Sequence, residues 1–518
     1  MRLDRRLTAF IFTGAFLVIG CEENLPAPVV PTTPPPTASA PGTPAPLPPA
    51  GPDTLGPKPT LAPPKAFDPP APQVFTAANG MTVWLLERRA LPLVAVTLAI
   101  PIGSAADPKE TQGLAWITAS MLDEGAGTRS AVQISTAIDD LGGSLATGAT
   151  ADGSFANLSV LKKSFSSAFK IFSDVVARPK LNAKEWKRVS DLWKNDLKKR
   201  ASDADDVARV VAPAALFGSD TPYGHPADGR TATAEKINLD TVKAFYASAW
   251  RPDQATLVVA GDITKDEVLK AISDGALKAW KAPTTPKLTP VVPPPPPAGS
   301  LRLVLVDRPA DAAQSVIAVV REGVAANDPK APLLDLVNTA LGGSFTSRLN
   351  QNLREEHGWT YGAGSRFAET RGTGSFTARA SVVTEATGPA LEQMLLELNK
   401  MASSGLSEDE VSKVLAQDRA DLVQSYEGVG GIVGRLAKLS MLGLPPEFDA
   451  AASRARQQAT RARLGELASA VDPKATTILI VGPRAAVLPQ LAAIKLPGGL
   501  KLPAPELWDA EGYLIPAK

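Results

Sequence analysis

Two stretches of this sequence follow one plan, and that repetition limits the fold more than any other feature. The first opens with MTVWLLERR (residues 81–89) and LVAVTLAIPIGS (93–104), the second with LRLVLVDRP (301–309) and QSVIAVVREGV (314–324). Short runs of branched and aromatic residues bounded by Gly, Pro and charged residues read as strands. Each pair is followed by the tripeptide Asp-Pro-Lys, at 107–109 and 328–330, and then by a helix. Each half closes on an apolar run ending in Gly, ATLVVAGD (255–262) and TTILIVGP (476–483). Between these lie alternating strands such as GSFANLSVL and GSFTARASVV, and long helices such as KEWKRVSDLWKNDLKKR and ATGPALEQMLLELNKMA. This order predicts an internal duplication of a unit of about 200 residues. Strand runs and helix pairs do not alternate strictly. The expected class is therefore α+β: two homologous halves, each a mostly antiparallel sheet with helices packed on one face.

The N-terminus predicts export. MRLDRR is a basic segment and LTAFIFTGAFLVIG an apolar one too short for a membrane span. It ends in Val18-Ile19-Gly20-Cys21, similar to the lipobox of bacterial lipoproteins, which would place a lipid on Cys21. The plainer alternatives are an ordinary signal peptide with an incidental cysteine, or a short signal anchor. Glu22 gives no reason for retention at an inner membrane, so an outer-membrane anchor facing the periplasm is expected. The proline-rich stretch that follows lacks apolar periodicity and favours extended polyproline-II segments. As a tether it would reach on the order of 150 Å. The expected organisation is a signal peptide (1–21), a tether (22–73), a first half (74–285), a proline-rich linker (286–299) and a second half (300–518).

Composition excludes several functions. Lys+Arg 54 against Asp+Glu 53 leaves a net charge of +1, which offers nothing to a nucleic acid. With Cys21 as the single cysteine no intrachain disulfide exists, and 2 His, His225 and His357, are too few for a histidine-rich metal centre.

Four segments carry a family resemblance: NGMTVWLLE, GSAADPKETQGLAWITASMLDEGAGTRS, TPYGHPADGRTATAEKINLDTVKAFYASAWRPDQATLVVAGDI and LGGSFTSRLNQNLREEHGWTYGAGS. Occurring in this order, they resemble the pitrilysin/insulinase group of metallopeptidases over roughly residues 74–485. The resemblance implies the metallopeptidase LuxS/processing-peptidase-like fold. It also implies a zinc site built on H-x-x-E-H, whose two His lie one helical turn apart around a Glu that deprotonates the metal-bound water. The matching residues here are Trp116-Ile117-Thr118-Ala119-Ser120, so Trp116, Ala119 and Ser120 replace both ligands and the base. The family's third ligand, a Glu, maps to the helix KEWKRVSDLWKNDLKKR, where Asp196 is the nearest acid. The resemblance therefore implies that this chain binds no metal and does not hydrolyse peptides alone; an active site with unusual ligands finds no clustered residues to use.

The family's other signature is retained. Its substrate-binding Arg and Tyr lie seven positions apart, and Arg354 and Tyr361 match in type and spacing. Leu349 and Leu353 share a helix face, Gly358 is placed to stop that helix, and a strand begins around Trp359. A guanidinium and a phenol can donate hydrogen bonds to a peptide carbonyl and to developing oxyanion charge. The plainer reading is that Arg354 pairs with Glu356 or a neighbouring helix while Tyr361 packs in the sheet. Gly342-Gly343 resembles a shortened form of the glycine-rich loop of non-catalytic processing subunits, but two glycines before a helix also serve as a flexible entry with Ser344 as N-cap. His225 and His357 read as loop and helix-end residues. The resulting expectation is a lipid-anchored, non-catalytic subunit of a two-chain zinc peptidase. Its partner would carry H-x-x-E-H and the zinc, and the two would bind peptides between them. The alternative is a non-enzymatic scaffold or peptide-binding lipoprotein of the envelope. The part played by the tail PAPELWDAEGYLIPAK is left open.

Overall fold

The short apolar runs MTVWLLERR, LVAVTLAI, ATLVVAGD, LRLVLVDRP, QSVIAVVREGV and TTILIVGP all contain strands. The structure is a computed structural model and describes residues 67–516 apart from residue 298; Cys21, the signal sequence and most of the tether lie outside the described residues. The first half holds β1 (Gln73–Thr76), β2 (Thr82–Glu87), β3 (Leu93–Ile100), the two-residue strands β4 (Gly125–Ala126) and β5 (Arg129–Ser130), β6 (Ser144–Ala149), β7 (Ser154–Leu161) and β8 (Thr256–Gly261). The second holds β9 (Arg302–Asp307), β10 (Gln314–Glu322), β11 (Thr360–Phe367), β12 (Ser375–Val383), β13 (Thr477–Gly482) and β14 (Glu506–Leu507).

The duplication is explicit in the sheets. One runs β1-β2-β8-β3-β7-β6, and the other, read from its far edge, β14-β9-β13-β10-β12-β11. In both, the closing Gly-ended strand inserts parallel to the first strand and antiparallel to the second: β8 with β2 and β3, β13 with β9 and β10. The remaining long pairings are antiparallel apart from the short β14, which joins β9 in parallel. The two halves are thus α+β units of one design.

Each half covers one face of its sheet with its own helices, and the other face takes a helix from the opposite half. The helix Ala204–Phe217 of the first half lays Val207, Val211 and Ala214 on β9, β10 and β13. The helix Val429–Leu442 of the second half lays Ile432, Leu436 and Leu439 on β2, β3 and β8. Those last three side chains are fully buried and contribute on the order of 5–9 kcal/mol of transfer free energy before ordering costs. Cover on both faces explains why β3, β8 and β13 are nearly continuous apolar runs, whereas β7 and β12 alternate buried and half-buried residues.

A charged weld joins the halves. Arg371, between β11 and β12, donates to Asp152 O (2.8 Å), Pro101 O (3.0 Å) and Met441 O, and its backbone N–H bonds the Asp152 carboxylate at 3.1 Å. Tyr223 completes the junction: its hydroxyl donates to Asp152 (2.7 Å) and accepts from Gly372 N (2.9 Å). The C-terminal tail crosses the same boundary. After β14 it reaches the first half, where Arg230 Nε donates to Glu511 O, the Glu511 carboxylate accepts from Thr231, and Tyr513 lies 4.9 Å from the Arg230 guanidinium. Arg230 also bonds Gln112, one residue before the glycine that opens the Trp116 helix. The tail is therefore an inter-half strap. Among the described residues no helix is long and apolar enough to cross a membrane.

Candidate functional site

The helix Leu114–Ser120 carries the residues that stand in place of H-x-x-E-H. Gly113 opens it at φ 99, a left-handed conformation that glycine adopts without strain, and a Cβ there would sit 2.9 Å from the Trp193 ring and from Asp228 O. The Asp107 carboxylate accepts from Gly113 N (2.8 Å) and Ala115 N (2.9 Å), satisfying donors at the helix start. Loss of solvent raises the Asp107 carboxyl to about 8, against the backbone N–H groups that favour its charge.

These residues do not fit a zinc ion. Trp116 is half-buried and stacks on Trp193, ring centroids 6.1 Å apart at 30°. Ala119 is fully buried and carries no ligand atom. The Ser120 hydroxyl donates back to Trp116 O at 3.0 Å. Opposite, the helix Ala183–Arg200 buries Val189, Ser190, Trp193 and Leu197. Trp193 thus occupies the side of that helix facing Trp116, its Nε1 donating to Asp228 O at 2.9 Å. Asp196 is exposed, outside that buried set, and so is not brought to the other positions. Among the described residues no group of three His, Cys, Asp or Glu is placed to hold a metal ion. His225 is buried with Nδ1 3.1 Å from Pro226 O, and burial lowers its pKa. His357 lies at a helix end with Nδ1 2.9 Å from Asn352 O, its ring 4.2 Å from that of Trp359.

Arg354 and Tyr361 lie on consecutive elements. A helical turn at Arg348–Asn350 widens into a π-helical turn, Gln351–Glu356, with Leu349 and Leu353 fully buried on one face. Gly358 at φ 68 ends it, and β11 begins two residues later. Arg354 leaves the open side of the turn. Its guanidinium stands 4.5 Å from the centre of the exposed Phe345 ring, and its nearest carboxylate is Glu355 at 3.4 Å, not Glu356.

A β-bulge decides where Tyr361 points. β11 pairs Thr360 with Val382 and Ala363 with Ala380, so Tyr361 and Gly362 together stand opposite Ser381. Ala363 and Phe367 pack with the helix layer of the second half. The extra residue shifts Tyr361 to the face of Ser381, whose hydroxyl bonds Asp205 of the helix Ala204–Phe217. The Thr360 hydroxyl pins the bulge, donating to Ser381 O (2.7 Å) and accepting from Gly362 N (3.1 Å). Tyr361 is left 91% exposed, so it does not pack in the sheet.

Three supporting residues went unread in the sequence. Buried Asn350 donates to Phe345 O (2.7 Å) and accepts from Ala363 N (3.2 Å), tying the Phe345 segment to the strand of Tyr361. An asparagine between apolar helix positions was the available signal. Phe345 and Thr360 carried no signal beyond proximity to the motif. Gly342-Gly343 is not a flexible entry: a Cβ on Gly342 would stand 2.5 Å from Ser365 N, so this turn presses directly on β11. The short helix after it is preceded by Ser347 rather than Ser344.

Comparison with known proteins shows what the chain as a whole is similar to. Residues 83–221 match the family profile described as insulinase (peptidase family M16), and residues 236–417 the profile described as peptidase M16 inactive domain. An uncharacterized zinc protease of Streptomyces coelicolor is 24% identical over 339 residues, covering 65% of this chain and 73% of that protein. The peptidase M16 inactive domain from Pseudomonas fluorescens has a similar structure, with TM-score 0.72 and 24% identity over 80% of this chain and 98% of its own. A chain of complex III2 from Candida albicans has TM-score 0.66 and 16% identity over 79% of this chain and 95% of its own.

Proposed function

Since the chain belongs to the insulinase (M16) peptidase family, we propose that it is a non-catalytic, substrate-binding subunit of a heteromeric zinc peptidase. The Trp116, Ala119 and Ser120 positions supply no ligand and no general base, so the metal and the water-activating carboxylate belong to a second chain carrying H-x-x-E-H. This chain contributes Arg354 and Tyr361. Their guanidinium and phenol donate hydrogen bonds to a substrate carbonyl, and the same donors meet charge as it develops on that oxygen. Preorganised donors of this kind are worth about 10²–10³ in kcat each. The substrates are peptides or short unfolded segments held between the two chains. Attachment is through a lipid on Cys21 to the bacterial envelope, with the proline-rich stretch as tether.

The observation that carries this reading is the exposure of Tyr361. A bulge pinned by Thr360 turns a large, partly apolar side chain into solvent, at a cost in burial that the fold does not recover. A non-enzymatic scaffold is the second reading, favoured by the likeness to a complex III2 chain, but a scaffold has no use for Tyr361 in that position. Affinity purification of the full-length protein from its own membranes, with mass spectrometry of the chains that accompany it, tests the proposal. A family member with intact H-x-x-E-H supports it; envelope or respiratory components without any zinc peptidase leave the scaffold in its place.

A further inference from the structure

We infer that Phe345 is a positioning residue for Arg354, holding the guanidinium by its ring face so that the in-plane N–H groups meet an extended peptide. The inference rests on the peptide-contact role of Arg354 proposed above. The Phe345 ring is 67% exposed and lies outside the buried cores, so it has no packing duty. The guanidinium stands 4.5 Å from its centroid, within cation–π range. The competing restraint, Glu355 at 3.4 Å, is an exposed neighbour whose side chain is 47% accessible, too solvated to fix a geometry.

Stacking and hydrogen bonding use different parts of a guanidinium. When an aromatic ring takes the flat face of a guanidinium, the N–H donors in its plane remain able to meet carbonyl or carboxylate oxygens. A tight ion pair would instead consume those donors. The ring's own place is set by the backbone: Asn350, 4% exposed, joins Phe345 O to Ala363 N, so the support for Arg354 and the strand of Tyr361 share one anchor. The close approach of Gly342 to Ser365 fixes the preceding turn against the same strand.

The test is binding of an end-capped, fluorescein-labelled 15-residue unfolded peptide of Ala, Ser, Leu and Phe to the full-length protein, read by anisotropy. The end caps and neutral side chains leave main-chain carbonyls as the groups Arg354 can meet. Arg354→Ala is expected to weaken binding at least tenfold. Phe345→Leu, which keeps bulk but removes the π face, is expected to weaken it about two- to fivefold, and Phe345→Trp to restore it. Because Phe345 is exposed, thermal melts of these variants should superimpose on the parent. If Arg354→Ala weakens binding while Phe345→Leu binds as the parent does, the positioning role is wrong and the peptide-contact reading stands. Equal losses in Phe345→Leu and Phe345→Trp also refute it, pointing to shape rather than the π face. If Arg354→Ala changes nothing, both readings fall.

Discussion

Restoring the family motif on the Trp116 helix should not restore a metal site. The variant Trp116→His, Ala119→Glu, Ser120→His supplies two imidazoles and a carboxylate in the H-x-x-E-H pattern. Three terms follow from the structure. Losing the Trp116–Trp193 stack removes about 0.5–1.5 kcal/mol beyond area burial. Ala119 is fully buried, so a carboxyl placed there without a hydrogen-bond partner costs about 2–7 kcal/mol. Zinc gives little back, because a catalytic site needs three protein ligands and the facing helix offers Trp193 where the third would stand, with Asp196 turned to solvent. The total, about 2.5–8.5 kcal/mol, compares with a whole domain stability of about 5–15 kcal/mol. The buried carboxyl would have a raised folded-state pKa. The variant's penalty is therefore smallest in acid and grows as pH rises through the unfolded value near 4.3. Urea melts at several pH values and zinc per chain after dialysis measure both quantities. The expected result is a destabilised protein with far less than one zinc per chain; adding Trp193→Glu should raise the zinc content. A triple variant as stable as the parent, holding one zinc per chain, would refute the reasoning.

Other perturbations test the weld and its charges. Arg371→Ala leaves Asp152 without its buried guanidinium and should cost about 3–5 kcal/mol in urea unfolding, with Tyr223→Phe losing less because one neutral hydroxyl is removed. Burial alone would raise the Glu369 carboxyl, but the Arg435 and Lys438 cations outweigh it and hold it at about 2. Its contribution, up to about 3 kcal/mol, is fully present above the unfolded carboxyl value and disappears as pH falls through about 2. Glu369→Gln should therefore flatten the acid limb of the stability profile between those values; an unchanged limb would remove Glu369 from the account. Deleting residues 505–518 removes Glu506, Glu511 and Tyr513 from their partners Arg302 and Arg230 and should increase amide exchange in residues 219–233, while identical exchange would mean the strap carries no stability.

The duplication was legible because its signals are local: a strand pair, Asp-Pro-Lys, and a closing strand ending in Gly. The family segments pointed to Arg354 and Tyr361 for the same reason. What stayed hidden depends on contacts distant in sequence. The exchange of helices between halves joins 204–217 to β10 and β13, and no periodicity names that partner. One trace of it was present, since LVAVTLAI, TLVVAG and TILIVG lack the polar alternation of a one-sided strand. The bulge at Thr360 was invisible because its cause, a hydroxyl reaching Ser381 O, lies in cross-strand register. Asp196 is the nearest acid, but it stands beside the stripe that Val189, Ser190, Trp193 and Leu197 bury, at its exposed edge, and periodicity alone does not tell an edge position from a buried one. The tail shows no period that names a partner, and its contacts Arg230 and Ser219 are nearly 300 residues away.

The central claim is that this chain completes another chain's active site. Peptide turnover by the purified complex, comparing the parent with Arg354→Ala and Tyr361→Phe at equal zinc content, tests it most directly. The account predicts that kcat falls by about 10²-fold or more for Arg354→Ala and by a smaller factor for Tyr361→Phe, with the zinc of the partner chain unchanged. Full turnover by both variants would contradict it.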